Sequence, residues 1–179
     1  MKIASVLAMA ALIFSSGAYA GLNGSTVSST YYYNGGAYAF GNSATTFNAV
    51  GTSADLVFGS FNVSVTDNQI TYTFLKDSFF DYSAPSYTSN GIVINSGNLL
   101  SFTGADRITS VTYDSQSFQT TDLSFTFNDN QVGLNWENVS FTAGSKVILN
   151  LVTTPVPEPE NLALLLAGLG LIAVRRRQL

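Results

Sequence analysis

From Phe61 to Phe74 the chain alternates between apolar and polar residues, broken only by one turn. Phe61, Val63 and Val65 interleave with Asn62, Ser64 and Thr66, Asp67-Asn68 intervenes, and Ile70, Tyr72 and Phe74 interleave with Thr71 and Thr73. Successive side chains of a strand point to opposite faces, so a period of two around a turn specifies a hairpin with one buried face. The figure returns 62 residues on: Leu123, Phe125 and Phe127 alternate up to Asp129-Asn130-Gln131, and Val132, Leu134 and Trp136 alternate away. Both bends read Asp-Asn-Gln, and an aromatic follows each at a matching offset, Phe79 and Phe141. With three identities, reuse of one favourable turn explains the likeness more simply than a duplicated hairpin.

Residues 21–154 are rich in Ser, Thr, Asn and Gly, with abundant Phe, Tyr and Val, and carry no helical periodicity. Further strands are expected at residues 30–33, 37–40, 45–50, 55–58, 91–94, 98–102, 108–113 and 146–152. Many short strands separated by turn signals argue for an all-β fold, a single β-sandwich or jelly-roll-like extracellular domain. Residues 81–90, with Pro85 and many small polar side chains, are expected to form the longest exposed loop. The chain has no cysteine, so a hydrophobic core must hold the domain without disulfides. Its 134 residues suffice for one such core.

The same composition removes most catalytic chemistries. Without histidine there is no Ser-His-Asp triad, histidine base or common zinc, copper or non-haem iron site. Without cysteine there is no thiol nucleophile, iron–sulfur cluster or thiolate zinc site. Paired carboxylates and a Ser/Lys pair survive, but Lys76 and Lys146 lack a Ser-x-x-Lys spacing. Asp77 and Asp81 flank Phe79-Phe80 as a glycosidase pair would, although they read more simply as the two ends of a loop. No catalytic residue, metal or cofactor is expected. Nine acids against Lys76, Arg107 and Lys146 leave residues 21–154 at −6. Oxygen ligands in loops suit Ca²⁺, yet no Asp-x-Asp-x-Asp loop is present, and a solvated acidic surface is the simpler reading. That charge disfavours nucleic acid and anionic polysaccharide, which need basic patches.

Aromatic side chains are the remaining chemistry. Tyr31-Tyr32-Tyr33, Tyr38 and Phe40 lie near Gly35-Gly36, while Tyr82 and Tyr87 fall in the expected long loop. Exposed tyrosines stack on sugar rings through an apolar face and a polar tip, which makes Tyr82 and Tyr87 the candidate ligand-binding residues. Alternate aromatics of a two-sheet fold are mostly core, so at least half of these rings should be buried, and Trp136 reads as a core plug.

The two ends carry address signals. Met1-Lys2 is a short basic start, residues 3–14 are apolar, and Ala18-Tyr19-Ala20 supplies a small-x-small site. Residues 1–20 are therefore expected to be a signal peptide, cut after Ala20 so that Gly21 opens the mature chain. Pro155, Pro157 and Pro159 hold the other end extended. Asn161 then caps a run of thirteen apolar or glycine residues, 162–174, that is expected to form a helix over about 161–174. At roughly 1.5 Å per residue it spans about 20 Å against a hydrocarbon core of about 30 Å, a marginal transmembrane anchor. The basic tail Arg175, Arg176 and Arg177 stops transfer and stays cytoplasmic by the positive-inside rule.

Pro157-Glu158-Pro159, the short helix and the arginine cluster, in that order, resemble the PEP-CTERM sorting signal of Gram-negative bacteria; the resemblance covers about residues 155–179. It implies recognition of Pro157, Glu158 and Pro159 by exosortase, an integral-membrane protease or transpeptidase usually encoded beside exopolysaccharide synthesis. The expectation is an exported, non-enzymatic protein, transiently anchored in the inner membrane and then released to the cell surface or extracellular polysaccharide matrix. Exosortase and the inner membrane are its expected partners, with exopolysaccharide a further candidate. A lectin-like carbohydrate-binding module on the same scaffold is the alternative, and a carboxylate-based glycoside hydrolase a weaker one.

Overall fold

A computed structural model of the chain describes residues 21–155. The cleavage-site residues Ala18 and Ala20, the motif Pro157-Glu158-Pro159, the helix expected over 161–174 and the tail Arg175, Arg176 and Arg177 lie outside the described residues.

The described chain is all-β. In order the strands are β1 (Thr26–Tyr33), β2 (Gly36–Ala37), β3 (Ala44–Asn48), β4 (Gly51–Thr52), β5 (Phe61–Val65), β6 (Gln69–Phe74) and β7 (Ser78–Phe80). They continue as β8 (Tyr87–Ser89), β9 (Ile92–Ile94), β10 (Ser96–Thr103) and β11 (Arg107–Tyr113). The last four are β12 (Ser124–Asn128), β13 (Gln131–Asn135), β14 (Val139–Phe141) and β15 (Lys146–Thr154). One sheet is ordered β12-β13-β10-β1-β2, with β3 also paired to β1, and the other β11-β15-β6-β5-β4. Two small ladders, β14-β7 and β8-β9, complete the set.

Alternation fixes which faces meet. Val27, Ser29 and Tyr31 of β1, Leu100 and Phe102 of β10, and Val132 and Leu134 of β13 point inward from the first sheet. Phe61, Val63, Val65, Ile70, Tyr72, Phe74, Val147, Leu149 and Leu151 answer from the second, nearly all without exposure. Trp136 lies fully buried between the sheets, its ring 5.1 Å from Phe61, 5.4 Å from Tyr72, 5.7 Å from Phe74 and 5.2 Å from Phe80. The core plug expected from the sequence is there. A polar seam crosses the same interior: Asn98 Oδ1 accepts from the Tyr72 hydroxyl at 3.0 Å and the Ser29 hydroxyl at 3.2 Å. Tyr31 shares a 2.7 Å hydrogen bond with Ser96.

The seam gives the fold an alkaline limit. Burial pushes the Tyr31 phenol up to about 12 and the Tyr72 phenol further still. An unfolded tyrosine ionises near 10. Below that pH both states are neutral and the contribution is whole; above it the unfolded chain sheds protons that the native one keeps, and stability falls as pH rises. Urea midpoints are expected to be level from pH 7 to 9 and to drop from about pH 10, with Tyr31 and Tyr72 ionising only as the fold is lost. Complete tyrosinate absorbance at pH 10 in a still-folded protein would contradict this.

The two Asp-Asn-Gln hairpins occupy equivalent places. β5-β6 pairs Val65 with Ile70 and Val63 with Tyr72, and β12-β13 pairs Phe127 with Val132 and Phe125 with Leu134, the same register 62 residues on. The strands that follow them pair with each other reciprocally, Phe79 with Ser140 and Ser78 with Phe141. Each hairpin also borders the final strand of the other half, β6 beside β15 and β13 beside β10. Such mutual register is the mark of two-fold related halves. The turn used twice therefore stands at two-fold related places, in β1-β5-β6-β7-β10 on one side and β11-β12-β13-β14-β15 on the other. The halves differ by insertions: residues 34–60 and 81–95 belong to the first alone.

Both insertions depart from the sequence reading. Residues 55–58 form no strand, because Val57 and Phe58 sit at φ 51° and 56° and Gly59 at 71°, a left-handed bend that cannot extend a ladder. Residues 81–90 contain β8, and its hairpin with β9 lies over the outer face of the first sheet, where Ile92, Ile94 and Leu99 make a second small core. Gly133 makes room for it: a Cβ there would come within 2.7 Å of Ile92. β10 is therefore buried on both faces, which its unbroken pattern of burial records.

Candidate functional site

The first insertion and the β6–β7 connection enclose a cleft of about 430 Å³. Its floor is core: Tyr31 and Phe80, 4% and 5% exposed, with ring centroids 5.8 Å apart. One wall is Tyr33 and Tyr38. The Asn34-Gly35 turn, both residues at positive φ, folds β2 back on β1 and brings Tyr38 edge-on to Tyr31 at 5.8 Å and to Tyr33 at 6.1 Å. Phe40 extends this wall outward, 6.0 Å from Tyr38 and 68% exposed.

The opposite wall is the left-handed bend. Positive φ is a real departure for the β-branched Val57 and for Phe58, and costs of order 1–3 kcal/mol per residue. Hydrogen bonds hold it in place. The Phe58 N–H donates to the Gly41 carbonyl at 2.7 Å, Val57 N–H to Asn42 at 3.2 Å, and Asn42 Nδ2 to the Asp55 carbonyl at 2.6 Å. Lys76 Nζ donates to the Phe58 carbonyl at 2.6 Å. The ring lies against Gly41, where a Cβ would meet it at 2.7 Å, and remains 62% exposed. The strained backbone is thus pinned from three sides with its phenylalanine facing solvent.

The third wall runs from Lys76 to Asp81. Phe79 points outward, 61% exposed, while its neighbour Phe80 turns into the core, the alternation of β7. Asp77 Oδ1 accepts from the Ala143 N–H at 2.9 Å and Asp81 Oδ1 from the Tyr82 N–H at 2.8 Å, so each carboxylate is oriented by backbone. Both are exposed. The arrangement offers exposed aromatic faces at Phe58 and Phe79, a tyrosine wall, and acceptors and donors at the rim.

Of the two tyrosines singled out by sequence, Tyr82 stands beside this cleft, 59% exposed, its carbonyl accepting from the Tyr33 hydroxyl at 3.4 Å. Tyr87 is elsewhere, on β8, where it stacks on Tyr32 at 4.0 Å over the first sheet. The fold does not bring the pair together as one platform. Phe58 escapes the sequence reading, because a Val-Phe pair ahead of a glycine looks like a strand end; Phe79 stands out there only as an offset match and as part of the aromatic pair between Asp77 and Asp81. Asp77 and Asp81 do share one cleft. Among the described residues no group of three or more acidic side chains is gathered to hold a metal ion. No family model, curated protein or solved structure matches the chain.

Proposed function

We propose that this is an exported, non-enzymatic β-sandwich protein of jelly-roll type that binds uncharged saccharide at the cell surface or in the extracellular polysaccharide matrix. Signal peptidase removes residues 1–20, and exosortase acts on the Pro157-Glu158-Pro159 segment after the helix over 161–174 and Arg175, Arg176 and Arg177 have stalled the chain in the inner membrane. The observation that carries the binding role is the cleft with Phe58 and Phe79 exposed on its rim.

Its position supports the same reading. Lys146, which begins β15, pairs with Thr73 near the cleft, whereas Thr154 at the other end pairs with Arg107. Nine residues at about 3.3 Å each put roughly 25–30 Å between the cleft and the point where the strap to the anchor leaves. A site facing away from the attachment end remains open to polymer while the protein is tethered. The excess of acids in the domain turns anionic chains away and leaves neutral ones to the aromatic faces.

Sorting and binding are tested separately. Intact mass of the protein from membranes and medium is expected to show a species from Gly21 to a residue near 155–160, present only in cells with exosortase. Full-length mature protein in membranes of both strains would reduce the C-terminus to a plain tail anchor. For the cleft, titration of the purified domain with neutral oligosaccharides is expected to perturb the signals of Tyr33, Tyr38, Phe58 and Phe79. An unresponsive cleft across a panel of neutral sugars would end the binding role and leave the sorting role standing.

A further inference from the structure

The alternation that turns Tyr31 into the core turns Tyr32 to the opposite face of β1, under the β8–β9 hairpin. Gly97 of β10 stands beside Tyr32 in the sheet, and a Cβ there would come within 3.0 Å of Ile94. The hairpin therefore lies close over Tyr32, and Tyr87, which pairs with Ile94, sets its ring on it. The centroids are 4.0 Å apart and the planes 30° apart, so the rings are in van der Waals contact. Burial first, and then the Tyr87 hydroxyl beside it, push the Tyr32 phenol up to about 12. The two hydroxyl groups thus share one end of the stack, which brings the ring carbons ortho to them together. Both rings are half-buried, and neither is sealed from solvent. Among the described residues the other tyrosine pairs in ring contact, Tyr31–Tyr38 and Tyr33–Tyr38, stand edge-on at 5.8 and 6.1 Å.

We propose that Tyr32 and Tyr87 are a site of oxidative cross-linking, at which a one-electron oxidant such as a peroxidase with hydrogen peroxide joins the two rings and staples the β8–β9 hairpin to β1. Each phenol gives up one electron and its hydroxyl proton, leaving two phenoxyl radicals. A carbon–carbon bond then forms between one ortho position of each ring. The hydrogen on each of these carbons leaves as a proton, each phenol oxygen takes a proton up, and both rings are aromatic again. The pair loses two hydrogens in all, and one hydrogen peroxide takes up the two electrons and two protons to become two waters. The stack supplies what radical coupling ordinarily lacks, two partners already held in contact, which is worth orders of magnitude in effective concentration. The chain has no cysteine, so a joint of this kind ties its segments together where a disulfide cannot. It would fix a hairpin whose own core is Ile92, Ile94 and Leu99. The inference is independent of the cleft and of the sorting segment.

The test exposes the purified protein, at low concentration, to a peroxidase and hydrogen peroxide. The expected product is a monomer lighter by two hydrogens, with dityrosine fluorescence and, after proteolysis, one peptide pair joined through Tyr32 and Tyr87. In urea, where the rings part, the yield of that joint should fall at least about tenfold. Tyr87→Phe keeps a ring in the stack but has no hydroxyl hydrogen to give. It should abolish the monomeric product in protein that circular dichroism shows to be folded. In the joined protein the amide hydrogens of β8 and β9 should exchange more slowly than in the parent. Joints made mainly between molecules, through the exposed Tyr82, would overturn the proposal. So would an equal yield of the Tyr32–Tyr87 joint in native and unfolded protein, and unchanged exchange in the joined protein would overturn the staple.

Discussion

Trp136→Ala is expected to unfold most of the population under mild denaturant. The indole contacts rings from both sheets and from β7 and β14, with centroids of Tyr31, Phe61, Tyr72, Phe74, Phe80 and Phe141 all between 5.1 and 6.3 Å. Truncating a buried aromatic of this size costs about 3–5 kcal/mol, through lost transfer energy and the cavity left behind. A domain of this length holds about 5–15 kcal/mol in all. The urea midpoint by far-UV circular dichroism should therefore fall by about a fifth or more, while Trp136→Phe, which keeps an aromatic plug, should recover much of it. A midpoint within error of the parent would mean that the cluster contributes little, and that the two sheets are held mainly by their aliphatic faces.

Phe58→Ala combined with Phe79→Ala is expected to lower affinity for neutral oligosaccharide by about 100-fold. Each ring offers an exposed face for stacking, worth roughly 1–1.5 kcal/mol, or about tenfold. The fold should hardly notice, since exposed side chains rarely change stability by more than about 0.5 kcal/mol. Phe58→Gly sharpens the contrast. Glycine enters the left-handed region without the steric cost that Phe58 bears at φ 56°, so this variant should match or exceed the parent in thermal stability while losing the platform. Such an opposition of stability and binding is what a strained residue kept for function produces. Unchanged affinity in the double variant, measured calorimetrically, would place any saccharide site away from this cleft.

Local pattern carried the reading far where one residue's neighbours decide its fate. Phe61 through Phe74 and Leu123 through Trp136 alternate in the sequence and pair as hairpins in the fold, because a period of two leaves a strand one face to bury. The pattern failed at residues 55–58, where a run of apolar residues reads as strand and hydrogen bonds to the Gly41 and Asn42 carbonyls and from Lys76 hold a bend instead. It failed at Tyr87, whose loop looked free until the β8–β9 hairpin folded over the first sheet. It also did not reveal the two-fold placement of the two hairpins, which shows only in the reciprocal pairing of β7 with β14.

By itself the sequence determined that residues 21–154 are all-β, that no thiol or imidazole chemistry operates, and that aromatics are the chemistry left. These follow from composition and short-range alternation, which need no knowledge of what packs where. Only the tertiary structure decided which aromatics face solvent, that Phe58 and Phe79 share one cleft, and that Tyr87 lies against Tyr32. Those two tyrosines are far apart along the chain, and their ring centroids are 4.0 Å apart in space. Contacts of that range depend on sheet order and on how insertions lie across it, and neither is written in the period of any single strand.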